Sequence, residues 1–211
     1  METKNNYTIQ RQSAQAQFLK YDQQAIIRKF NLKNDEDYLY PTFLGRQYRL
    51  CRRTGNLESF HHDAWQDANT FGEVMTLLDI LCDAKDLRYI TGRWKAMANF
   101  GLMFHSKMIE EKKDPLAEAF DKAPEAFHRA CLAMGGIPIS GGDISYSVEL
   151  MDGLCIAVQF WHGDEDFAPQ FRFFWDDNAL QYLRYETMHY ALGFFQDRLR
   201  EESLLFPENV V

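Results

Sequence analysis

The apolar positions change period several times along this chain, and those changes delimit its elements. From Ser13 onward, Leu19, Ile26 and Phe30 fall on one helical face with Ile27 beside them, the spacing of a helix packed on one side. Ser13 stands where an N-cap belongs, but Ala16 occupies the place where a capping box needs Glu or Gln. Residues 1–12 read as a frayed polar lead-in, and 31–37 as a polar break. From Tyr38 the run Tyr38-Leu39-Tyr40-Pro41-Thr42-Phe43-Leu44 is aromatic and β-prone, and Gly45 supplies a turn. Over 47–52 the pattern alternates, with Tyr48 and Leu50 on one face and Arg49 and Cys51 on the other. Thr54-Gly55-Asn56 is a second turn, so a small antiparallel meander is expected as far as about Phe60.

Helical spacing then returns. Thr70 and Glu73 have capping-box spacing, succeeded by the stripe Val74, Leu77, Leu78 and Leu81 and an end near Ala84. Asp114-Pro115 is a helix start, Pro124 divides the stretch up to Met134 into two short helices, and Gly135-Gly136 ends the second. Residues 143–150 and 154–161 flank Asp152-Gly153, a hairpin dipeptide, and a further strand is expected at 171–175. Residues 186–201 place Met188, Leu192, Phe195 and Leu199 on one face of a long helix. Strands grouped in two clusters, without strand–helix–strand alternation, predict an α+β fold. Antiparallel or mixed sheet elements would pack against several helices in one domain over 13–211.

Composition narrows the class. Apolar residues make up 46% of the chain, enough to offset the entropy of folding. A net charge of −8 disfavours nucleic acid and anionic membrane surfaces, both of which are bound through clustered Lys and Arg. No run approaches the ~18 apolar residues of a membrane helix. Cys51, Cys82, Cys131 and Cys155 are spread widely and no export signal opens the chain, so reduced thiols and a cytoplasmic location are expected.

A resemblance becomes visible in the C-terminal half. It runs through Gly135-Gly136, Gly142-Asp143, the paired strands, Trp161-His162-Gly163-Asp164-Glu165-Asp166-Phe167, Phe174-Trp175-Asp176-Asp177-Asn178-Ala179 and Tyr182-Leu183. Together with Phe43-Leu44-Gly45 and Tyr48, these residues resemble domain of unknown function family 3786, a bacterial and archaeal family common in anaerobes. The resemblance implies no assigned reaction. Some members carry an iron–sulfur-ligating segment; this chain has no closely spaced cysteines, so no cofactor is carried over.

The sharpest candidate chemistry is His162-Gly163-Asp164-Glu165-Asp166. Three consecutive carboxylates repel, and a hard cation such as Mg²⁺ or Ca²⁺ would relieve that repulsion. The spacing of a calcium loop is absent. A plain turn is the alternative, with Asp164 bonding turn amides, Phe167 anchored in the core, and Asp164→Asn costing about 1–2 kcal/mol. A third reading pairs the carboxylates with Arg46, Arg49, Arg52 and Arg53. His61 and His62, with Asp63 after them, are the next candidates. Adjacent histidines on a strand point to opposite faces, so one of them at most would join His162 and Asp164 in a Zn²⁺ or Fe²⁺ site. Otherwise they form a polar rim. His128 and Cys131 share a helical face with no second pair to complete a site. The glycine-rich 135–142 stretch precedes a strand, not the helix a phosphate loop needs, and Ser140 lies in no nucleophile elbow.

Three functions are consistent with these features. They are a non-catalytic binding or accessory protein presenting the acidic loop, a metal-dependent enzyme with His162 as ligand or general base, and a cofactor-associated protein. An enzyme needs a concave pocket at the loop, whereas a binding module does not.

Overall fold

A computed structural model describes residues 6–100 and 114–205. Within them, helices and two antiparallel sheets form an α+β fold that divides into two compact units. The first takes the described residues up to Tyr89 together with Leu180–Phe194; the second takes those from Ile90 to Ala179 and those from Phe195 onward.

In the first unit, α1 (Asn6–Phe18) begins upstream of the cap expected at Ser13 and ends in the buried Phe18. The single amphipathic helix read across 13–30 is two, because the Asp22 carboxylate accepts the amides of Gln24 and Ala25 and starts α2 (Gln23–Phe30) afresh. Leu19 falls in the break and is exposed. The strands are β1 (Lys33–Asn34), β2 (Tyr38–Tyr40), β3 (Thr42–Phe43), β4 (Arg46–Cys51), β5 (Leu57–His61) and β6 (Ala64–Asp67). Pro41, without an N–H, divides the run read as one strand into β2 and β3. The sheet order is β1-β2-β4-β5-β6, with β3 pairing β4. Tyr48 and Leu50 are buried, as the alternation requires, and so are Val74, Leu77, Leu78 and Leu81 of α3 (Phe71–Asp83). Gly55, at φ +72°, turns β4 into β5 against α1; a Cβ there would lie 2.6 Å from the Gln15 carbonyl oxygen.

The second unit opens with β7 (Trp94–Ala96), a strand no periodicity announced. Helices α4 (Pro115–Lys122) and α5 (Pro124–Ala133) come next, the first capped by the Asp114 carboxylate, the pair separated at Ala123. Then come β8 (Ile137–Pro138), β9 (Ile144–Met151), β10 (Leu154–Trp161) and β11 (Gln170–Asp176), in the order β7-β11-β10-β9-β8. Asp152 and Gly153 both have positive φ, 55° and 80°, giving the two-residue hairpin turn that matches the twist of β9 and β10. Phe120 and Phe127 of the two helices meet Phe160 and Phe171 on one sheet face.

The last helix, α6 (Tyr185–Ser203), contributes residues to both units. In the first, Phe194 stacks on Phe43 at 5.8 Å; in the second, Phe195 meets Phe173 edge-on at 6.1 Å. No helix among the described residues is long and apolar enough to cross a membrane.

Candidate functional site

The acidic stretch lies in the second unit, in the connection between the end of β10 at Trp161 and the start of β11 at Gln170. Two carboxylates outside it hold its first residues. Asp143, immediately before β9, accepts the His162 amide at 2.7 Å while donating its own amide to the Phe160 carbonyl at 2.8 Å. Asp121, in the last turn of α4, lies 2.7 Å from His162 Nδ1 and accepts the Gly163 amide at 3.2 Å. The hydrogen bond from His162, and after it the Gly163 amide, hold the Asp121 carboxyl below the usual range against the opposing effect of burial. The imidazole lies edge-on to Phe160 at 5.0 Å. Gly163 is needed for space: a Cβ there would come within 2.8 Å of the Pro169 ring.

Asp164 then closes the loop on itself. Its Oδ1 accepts the Asp166 amide at 2.9 Å and the Phe167 amide at 2.7 Å, and its own amide reaches the Phe167 carbonyl at 2.9 Å. This is the amide-bonding turn weighed against a cation site. Both amides use one oxygen, which asparagine also possesses, so Asp164→Asn sacrifices much less than the whole interaction expected from the sequence. Phe167 corrects the expectation more sharply, for it is 67% exposed and anchors nothing in a core. Glu165 and Asp166 are exposed and, among the described residues, have no side-chain partner.

His61 and His62 sit in the first unit. His61 ends β5, and His62 with Asp63 forms the two-residue turn into β6, both at positive φ (49° and 59°). The turn cancels strand alternation, so the two imidazoles do not diverge; their ring centres are 3.8 Å apart. Among the described residues, no group of three or more His, Cys, Asp or Glu is placed to hold a metal ion. The arginines have local partners. Arg49 makes a two-pronged bond to Glu58 at 2.7 Å, between the rings of Tyr38 and Trp65. Arg53 pairs with Asp37 at 2.7 Å, and Arg52 bonds Gln23 and the Asp35 carbonyl. His128 lies 2.7 Å from the Tyr146 hydroxyl, while burial pushes the Cys131 thiol up. Gly136 and Gly142 pack on the carbonyls of Cys131 and Phe160, so the glycines serve close backbone approach.

The sequence reading missed three carboxylates that organise this unit: Asp121, Asp143 and Asp176. Asp176 is 2% exposed; its Oδ2 accepts the amides of Thr91 and Gly92 at 2.9 and 2.7 Å, and its Oδ1 that of Asn178 at 3.0 Å. Asp177 takes the Thr91 hydroxyl at 2.6 Å and Arg93 Nε at 2.8 Å, bonds that lower its carboxyl. Asp-Asp-Asn at a strand end was visible as turn chemistry; its partners 84–86 residues upstream were not.

A family model described as "Domain of unknown function (DUF3786)" matches residues 22–197, and the chain belongs to that family. No curated protein and no solved structure matches it.

Proposed function

We propose that this family member is a non-catalytic binding or accessory protein of the bacterial cytoplasm, in anaerobic metabolism, and that its partner meets the 162–169 loop. The observation that carries this reading is the exposure of Phe167, 67% open to solvent on a turn already satisfied by its own amides. An aromatic ring held out in solvent by a hydrogen-bonded backbone turn, beside the exposed Glu165 and Asp166, suits a basic protein segment with an apolar side chain. A net charge of −8 argues against nucleic acid as that partner. The test is a photo-crosslinking amino acid placed at 167 in cells. Capture of a basic protein, lost in the double variant Glu165→Gln, Asp166→Asn, is the expected result. Adducts to nucleic acid, or capture indifferent to those charges, would overturn it.

One observation favours a second reading, a metal-dependent enzyme. The His162 Nδ1–Asp121 bond fixes the ring as imidazoles that ligate metals or act as bases are fixed, with Nε2 bonded to nothing among the described residues. Asp164, Glu165 and Asp166 would supply the oxygen ligands only after the loop rearranges, since they are not grouped with His162 to hold an ion here. A melting-temperature rise with Mn²⁺ or Zn²⁺ that His162→Ala abolishes would favour this reading over the first.

A further inference from the structure

A groove of about 200 Å³ in the first unit is lined by α1 on one side and by the start of β5 and the end of β6 on the other. The α1 positions that face it are polar at helical spacing: Thr8, Arg11, Gln12 and Gln15. Opposite them stand Asn56, Asp67 and Asn69. These α1 side chains are half-buried or exposed, so the groove is open to solvent along its helical wall.

Several contacts hold the walls in place without filling the groove. The Tyr7 and Phe71 rings meet at 4.9 Å, Phe18 is buried, and the Gly55 turn fits against the Gln15 backbone. Arg11 Nη1 donates to the Asn69 carbonyl, which fixes the guanidinium and leaves its other N–H groups without a partner among the described residues. The Asp67 carboxylate likewise has no hydrogen bond or ion pair among the described residues, and in particular none to Arg11. Among the described residues, one cation without an ion-pair partner and one carboxylate without a hydrogen-bond partner thus border the same small groove, with the Gln15 and Asn56 amides, 3.5 Å apart, adding donors and acceptors of both kinds.

We propose that this groove binds a free α-amino acid with a small polar side chain. The Arg11 fork takes the ligand carboxylate, Asp67 takes its ammonium group, and the Asn and Gln amides meet the side chain. The size suits a small ligand, since about 200 Å³ lies below the range of drug-sized pockets. A zwitterion is the ligand class that satisfies both unpaired charges at once, and it excludes peptide termini, which offer one charge only.

The experiment uses the full chain with L-serine as the probe, and N-acetyl-L-serine and L-serinamide as single-charge controls. L-Serine at a hundredfold excess over its Kd should raise the melting temperature by about 5–10 °C, and neither control should match it. Arg11→Met and Asp67→Asn should each weaken serine binding by about tenfold or more, and both sites are exposed enough for the variants to fold. Backbone amide shifts on titration should centre on Asn56 and Asn69. The proposal fails if L-serine, L-threonine and L-asparagine all leave the melting temperature unchanged at about 10 mM. Binding that survives both substitutions, or that the controls reproduce, also sinks it.

Discussion

Asp176→Asn isolates one buried carboxylate and the three amides it serves. In the parent, Oδ2 receives two N–H groups, from Thr91 and Gly92, and Oδ1 receives a third from Asn178. Asparagine keeps one oxygen. Its less costly orientation aims that oxygen at Thr91 and Gly92 and sets an NH₂ against the Asn178 N–H, donor facing donor. One hydrogen bond to a charged acceptor is lost, about 1.5–3 kcal/mol, and removing a buried anion offsets part of that. The net expected loss is about 2 kcal/mol, or roughly 4–8 °C in melting temperature for a chain of this size. Asp176→Ala strands all three amides and should cost more, about 4 kcal/mol. Scanning calorimetry ranks the three proteins, and hydrogen exchange at Gly92 locates the loss, since its amide should lose protection in Asp176→Ala. An Asp176→Asn variant as stable as the parent would refute the reasoning, because the cost of burying the anion would then equal the worth of the lost hydrogen bond.

Three further outcomes are expected from the same structure. Glu73 is 5% exposed, and burial raises its carboxyl despite the Tyr48 hydroxyl at 2.8 Å and Thr70 at 3.3 Å. A raised folded pKa contributes stability below the unfolded carboxylate value and loses it as pH rises through the folded one. Glu73→Gln, which keeps both hydroxyl contacts, should therefore be the more stable protein at pH 7, on the order of 1 kcal/mol, and lose that advantage in acid; urea titrations across pH check the sign. At the loop, Asp164→Asn should stay within about 0.5 kcal/mol of the parent, since Oδ1 is retained, while Asp164→Ala should cost about 1 kcal/mol; equal losses in the two would contradict the one-oxygen geometry. Because α6 runs unbroken from one unit into the other, we expect one folding domain: a single calorimetric transition, where two resolved transitions would mean independent units.

Local chemistry was legible in the residue order. The Asp152-Gly153 hairpin, the Tyr48 and Leu50 alternation, the α3 stripe and the Asp114-Pro115 start depend on neighbours within a turn or a strand pair, and each formed where its pattern stands. So did the Asp164 turn, whose donors lie two and three residues ahead. The interactions that escaped depend on distance along the chain. Asp121 and Asp143 reach His162 across 41 and 19 residues, and Asp176 reaches Gly92 across 84; a lone Asp gives no hint of which remote amide it will meet. The imidazoles of His61 and His62 came together because β6 paired with β5 and turned them into a hairpin end, where strand alternation no longer applies. Phe167 shows the limit most clearly. Its hydrophobicity argued for burial, but the Asp164 turn commits the backbone first, and a ring carried on a two-amide cap goes where the cap directs it. Sequence determined most of the elements because their energies are local. Short strands such as β7, and the sharing of polar groups in one site, were decided by the tertiary structure alone, because burial obliges each donor to find whatever acceptor the packing brings.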